Sequence, residues 1–198
     1  MIDQSLIFLK NRLNAYLCGP EDTKSKADPE KTKEKVDFVD GQKMEPLTFT
    51  SGMVNILLIN IEEENTLRRP DPYTRVSPNG EHQKAYPDIR LNLYVLFVAR
   101  FNNYENSLHY LSQIIRYFQS HRVFDHHNAP ELNENIEKLI LELITLPFAE
   151  QNEVWNALRV TYHPSVLYKV KMLVFQQDED VLSAPEITEK DIHIRSTS

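Results

Sequence analysis

Apolar residues recur along this chain in two rhythms, a helical one of three and four and a strand rhythm of two. Ile2, Leu6, Leu9, Leu13 and Leu17 are spaced by four, three, four and four residues, which puts them on one helical face. Asp3 is placed to cap this helix and Gly19-Pro20 to end it. Residues 20 to 35, PEDTKSKADPEKTKEK, are charged, hold two prolines and lack any large apolar side chain, so they read as a solvated loop.

A short strand is expected at Val36 to Asp40, with Gly41 in the turn after it. MVNILLINIEEEN, residues 53 to 65, is rich in apolar and β-branched positions and becomes acidic at its end. It predicts a central strand that emerges into water at Glu62. Residues 68 to 88 carry four prolines and Gly80 and read as a long exposed loop between two strands. In IRLNLYVLFVARF, Leu91, Leu93, Val95 and Phe97 share one face, and Asn92, Tyr94, Leu96 and Val98 the other. Both faces are covered, so this strand is interior.

Tyr104, Leu108, Leu111, Ile115 and Phe118 then recur at helical spacing, and Asn102 or Asn103 can cap the helix they define. Residues 121 to 133 read as a loop. IEKLILELITL, residues 136 to 146, is taken as a strand, although a helix with Leu139, Leu143 and Leu146 on one side competes closely. A short helix over 149 to 158 presents Val154, Trp155 and Leu158. Pro164 opens a last strand, with Val166, Tyr168, Val170, Met172 and Val174 on its inner face and Lys169 and Lys171 opposite, the pattern of a half-exposed or edge strand.

This order of elements predicts an α+β fold: a mixed, mostly antiparallel sheet with helices packed on it, in a single domain over residues 1–176. Residues 177–198, acidic and then Ser/Thr-rich, read as a flexible tail. A doubly wound nucleotide-binding fold is a poor fit. Such folds need a Gly-rich strand-to-helix turn, and none of Gly19, Gly41, Gly52 and Gly80 lies at one.

Composition adds little to the fold but narrows the function. The 198 residues are 41% apolar and 26% charged, a globular balance, and the formal charge of −7 argues against non-specific nucleic-acid binding. The lone cysteine, Cys18, cannot form an internal disulfide and fits a reducing cytosol. The first 17 residues are too polar for a signal peptide, and no window approaches the ~20 apolar residues of a membrane span. A cytoplasmic protein without membrane insertion is the expectation.

Candidate chemistry is sparse. His121, His126 and His127 share a loop with Asp125, and imidazole and carboxylate are good zinc or iron ligands. Their spacing offers no helical pair and no cysteine, so a solvated His-rich loop outweighs a metal site. Glu62, Glu63 and Glu64 could supply paired carboxylates, but consecutive strand residues point to opposite faces. Pairing with Arg68 and Arg69 at a solvated strand end is the simpler reading. Ser165 lacks the Gly-x-Ser-x-Gly frame of a nucleophile elbow. Tyr94 stands out: it lies mid-strand on the less apolar face, where its hydroxyl needs a partner that an interface could supply.

Several blocks carry a family resemblance: IDQSLIFLKNRLNAYL at the start, LLINIEEENTLRR at 57 to 69, RLNLYVLFVARFNNYENSLHYLSQIIRYFQ at 90 to 119, VFDHHNAPEL at 123 to 132, and VWNALRVTYHPSVLYKVKML at 154 to 173. In these blocks the chain resembles the N-terminal domain of the tail-terminator, or cap, proteins of contractile injection systems of the antifeeding-prophage and virulence-cassette type. The resemblance implies a structural ring, a homohexamer, that sits on the last layer of the inner tube and sheath and stops their growth. It implies no catalysis and no cofactor. Family members can carry a further domain after this one.

On that reading Glu62, Glu63, Glu64, Arg68, Arg69, Tyr94, Lys169 and Lys171 are the candidate contacts between subunits or with tube and sheath proteins. Two alternatives stand beside it. One is an assembly chaperone or adaptor of the same particle; the other is a metal-dependent hydrolase using the His121–His127 loop.

Overall fold

A computed structural model describes residues 1–18, 34–41, 47–64, 74–76, 82–84 and 89–174. In chain order the elements are α1 (Ile2–Leu17), β1 (Val36–Phe38), β2 (Met53–Glu63), β3 (Thr74–Val76), β4 (His82–Lys84), β5 (Ile89–Arg100), α2 (Tyr104–Ser120), β6 (Val123–Asp125), β7 (Ile136–Ile144), α3 (Phe148–Leu158) and β8 (Ser165–Val174). Six strands form one sheet in the order β1-β2-β5-β8-β7-β6, with β1 parallel to β2 and every other neighbouring pair antiparallel. The expected α+β class with a mixed, mostly antiparallel sheet is the observed one.

The sheet is curled, and α1 closes the curl. Laid flat, its edge strands would stand about 24 Å apart at ~4.8 Å per strand. Yet Phe8 packs edge-on against Phe124 of β6 at 5.2 Å, while Asn14 bonds the backbone of Val36 in β1. Those two helix residues are separated by only about 9 Å along the axis. The stripe expected on α1 does this work: Leu6, Leu9 and Leu13 are buried, and Ile2 and Leu17 pack beside them.

α2 covers the same concave face. Its Leu111, Ile114, Tyr117 and Phe118 join Leu93, Val95 and Phe97 of β5 and Tyr168, Val170 and Met172 of β8 in one core. The aromatic centre is Phe97, whose ring lies 5.8 Å from Phe118 and 5.9 Å from Tyr168. A second, smaller core lies on the convex face, where α3 presses Trp155 onto Leu96, Val98 and Leu167. Asn55 anchors the segment that completes it, since its amide binds both the N–H and the C=O of Thr50 and so sets Phe49 against Trp155.

Several expectations need correction. The last strand is not an edge: β8 lies between β5 and β7, and its lysines are accessible because part of the sheet face is open. The buried row of α2 is Ser107, Leu111, Ile114 and Phe118, so Tyr104 and Leu108 of the expected stripe are 62% and 46% exposed. Two apolar rows run side by side on this helix, and the one nearer β5 wins.

Asp3 does not cap α1 from outside, because the helix already begins at Ile2; its carboxylate accepts from the Met1 amine at 2.7 Å. Within 68–88, expected as a loop, β3 and β4 pair antiparallel as a separate two-stranded sheet, Thr74 opposite Lys84 and Val76 opposite His82. Within 121–133, also expected as a loop, β6 adds the last strand. The first strand stops at Phe38 instead of Asp40. Gly19-Pro20, Arg68, Arg69 and the expected tail at 177–198 lie outside the described residues.

Candidate interface on the convex face

Among the described residues, the convex face is covered at one end only. Along β5 it runs from Val98 and Leu96 under Trp155 to Tyr94 and Asn92, and along β8 from Leu167 to Lys169 and Lys171. A β-bulge between Leu58 and Asn60 decides which β2 residues join them. Before the bulge Leu57 opposes Leu96; after it Asn60 opposes Tyr94 and Glu62 opposes Asn92. Without that extra residue, Glu62 would have pointed to the concave core. Glu142 of β7, opposite Lys169, completes the row.

The side chains form a ladder of alternating charge across four strands. Tyr94 donates its hydroxyl to Glu62 Oε2 at 2.8 Å, and Lys169 Nζ sits 5.7 Å from the centre of the Tyr94 ring. Lys171 Nζ donates to Glu142 Oε1 at 2.8 Å, and Arg122 Nη2 approaches the same oxygen at 3.5 Å. Asn92 Nδ2 donates to Glu64 Oε2 at 3.1 Å. The Tyr94 pKa is raised, first because the phenol donates to Glu62 and then by partial burial. The Glu142 pKa is lowered, chiefly by the Lys171 hydrogen bond.

Of the expected contact residues, Glu62, Glu64, Tyr94, Lys169 and Lys171 therefore meet on one open face. Glu63, opposite Leu91, alternates to the other face. Within the chain, the Tyr94 hydroxyl has Glu62 as its partner. Sequence reasoning missed Glu142, Asn92 and Arg122. Glu142 had a signal: it is a lone charge inside the apolar run LILELI, which calls for a counter-charge on the next strand.

The remaining candidates lie outside this ladder. Asp125 Oδ1 accepts from the backbone N–H groups of His127 and Asn128 at 3.0 and 3.2 Å, an Asx turn, while the His121 ring stacks on Tyr117 at 4.6 Å. No group of three His, Cys, Asp or Glu side chains placed to share a metal occurs among the described residues. Ser165 lines an apolar pocket of about 250 Å³ with Leu96, Ile115, Leu143, Trp155 and Val166. No helix among the described residues is long and apolar enough to cross a membrane.

The chain is thus an α+β domain built on a curled six-stranded sheet sealed by one helix, with paired charges on its convex face. The chain matches the Pvc16 N-terminal domain family over residues 7–189, and it is a member of that family. Among solved structures it is similar to the sheath/tube terminator of an extracellular contractile injection system, PVC, in its extended state, with 16% identity and a TM-score of 0.58 over 100% of this chain and 64% of that one. It is also similar to the anti-feeding prophage tube-terminating cap, with 12% identity and a TM-score of 0.43 over 72% of this chain and 48% of that one. No curated protein matches the sequence. The chain thus spans 64% of the length of the first of these relatives, and the likeness establishes the shared fold.

Proposed function

We propose that this domain is a tail terminator of a contractile injection system: a ring, six-fold in our reading, that seats on the last layer of inner tube and sheath and limits their length. The observation that carries the proposal is family membership over residues 7–189, joined to a full-length fold likeness to a protein named as a sheath/tube terminator. The role requires complementarity to a polymer's end and no chemistry. The convex-face ladder of Glu62, Tyr94, Lys169, Lys171 and Glu142 supplies such a surface, because rows of opposite charge fix the register of a partner more than they add affinity. Assembly takes place in the cytoplasm, and the partners are further copies of this chain together with tube and sheath proteins.

Labelling tests this reading. A tagged protein, expressed with the particle's other components and detected by gold-conjugated antibody, is expected at one end of each particle. Label distributed along the shaft, or absent from purified particles, contradicts it.

A further inference from the structure

At each edge of the sheet one asparagine side chain takes up outward-facing backbone groups, and both asparagines are tied to α1. On β6, the Leu141 N–H donates to the Arg122 carbonyl at 2.9 Å, which makes Val123 and Ile140 a non-hydrogen-bonded pair. The N–H and C=O groups of Val123 and Asp125 therefore point away from β7, towards the free edge. The Asn128 side chain takes two of them: its Nδ2 donates to the Val123 carbonyl at 3.0 Å and its Oδ1 accepts from the Asp125 N–H at 3.2 Å, while the Asp125 carbonyl accepts from the Ala129 N–H at 2.8 Å.

β1 is treated the same way. Val54 N–H donates to Lys35 C=O and Val39 N–H to Ile56 C=O, so residues 35, 37 and 39 face β2 and Val36 faces outward. Asn14 accepts from the Val36 N–H at 2.9 Å and donates to the Val36 carbonyl at 2.8 Å, while its Oδ1 also accepts from the Lys35 N–H. The next outward N–H, that of Phe38, is taken by the Asp37 carboxylate at 2.8 Å. A primary amide presents one acceptor and two donors in a plane, and so reproduces the bonds of a neighbouring strand at one residue.

α1 holds both closures. Asn14 is part of it, and Lys10 lies 3.4 Å from the Asp37 carboxylate. From the same helix Arg12 Nη2 donates to the Asn128 carbonyl at 3.2 Å, and Arg12 Nε pairs with Glu131 at 2.6 Å. We propose that Asn14 and Asn128 are edge-blocking residues, and that α1 is the clasp that stops a second copy of this chain from adding a strand at either end of the sheet. Open strand edges recruit like chains, and this sheet has two edges that one helix closes at once. The inference concerns the isolated chain and stands whether or not the domain caps a tube.

Hydrogen–deuterium exchange on the unaltered protein gives the first test. The outward amides of Val36 and Asp125 are expected to be protected to a degree comparable with the inward-facing amides of the same strands. Exchange as fast as at an exposed loop overturns the proposal. In Asn14→Ala and Asn128→Ala, the amide that loses its acceptor is expected to exchange about twofold to tenfold faster.

The double variant is expected to form species heavier than the wild-type assembly, growing with concentration in analytical ultracentrifugation. Asn14→Asp, which keeps the acceptor and adds a charge at the β1 edge, is expected to form less of the heavier species than Asn14→Ala when each is placed on Asn128→Ala. A folded double variant with the wild-type mass at every concentration overturns the proposal. If the double variant does not fold, the exchange rates of the unaltered protein decide.

Discussion

Tyr94 holds two charges of opposite sign at once: its hydroxyl binds Glu62 at 2.8 Å and its ring carries the Lys169 ammonium 5.7 Å from its centre. One side chain thus couples three neighbouring strands on an open face. Replacing it separates the two contacts. Tyr94→Phe keeps the ring and is expected to cost no more than about 1 kcal/mol, because the lost hydrogen bond is exposed. Tyr94→Ala is expected to cost roughly 0.5–1 kcal/mol more through loss of the cation–π contact as well as packing area. Urea unfolding of the two variants, with Glu62→Gln as the third corner of a double-mutant cycle, measures both.

Glu142 makes the fold acid-sensitive in a defined direction. Its pKa is lowered from 4.5 by the Lys171 hydrogen bond and by the charges of Lys171 and Arg122. The unfolded chain therefore takes up this proton first as the pH falls. The stabilisation is present above the unfolded value and is lost as the pH drops through the folded one. Glu142→Gln is expected to lower stability at neutral pH by up to about 1 kcal/mol and to flatten the fall between about pH 6 and pH 3. Urea midpoints across that range check it.

Tyr168 acts at the alkaline end. It is buried between Phe97 and Phe118, and burial pushes its pKa from 10.0 to about 12. Between those values the unfolded chain has lost the phenolic proton and the folded chain has kept it. Stability contributed there falls as the pH rises from 10.0 towards 12. Tyr168→Phe is expected to remove roughly 1–1.5 kcal/mol of this alkaline loss at pH 11 and to leave neutral stability near the wild-type value. Denaturation midpoints at neutral pH and near pH 11 separate the two effects.

Charge reversal distinguishes a docking surface from a structural one. Lys169 and Lys171 lie on the open half of the convex face, where exposed pairs contribute little to folding. Lys169→Glu with Lys171→Glu is expected to shift unfolding by no more than about 2 kcal/mol. The same double variant is expected to be absent from particle ends in gold-label micrographs. Normal end-labelling would remove these lysines from the proposed interface.

Much of this fold was legible because burial imposes a period. The α1 stripe from Ile2 to Leu17 and the two faces of β5 follow directly from spacing, and the six-stranded sheet contains every long strand that spacing implied. What spacing cannot give is which neighbour a strand takes. β8 carried Lys169 and Lys171 and so looked like an edge, but its place between β5 and β7 depends on contacts with residues more than 20 positions away. Period also leaves two adjacent rows on α2 unresolved, and only packing shows that Ser107 goes in and Leu108 stays out. A three-residue strand such as β6 is too short to have a period at all.

The candidate interface was legible residue by residue but not as a unit. The acidic end of β2 and the lysines of β8 were visible as charges, whereas the bulge at Leu58/Asn60 that turns Glu62 onto their face leaves no mark in composition. Asn14 and Asn128 were silent for a related reason. An asparagine in a helix or loop is ordinary, and its importance here comes from bonds to strand edges that only the curled sheet brings within reach.

Length control is what a terminator does to tube and sheath. Particles purified from a strain lacking this protein, and from the same strain with the gene restored, are to be measured by electron microscopy for the lengths of sheath and tube. A broad length distribution or unstable particles are expected in the deletion, and a single sharp length on restoration. Deletion particles with normal, uniform length and intact ends contradict the terminator role.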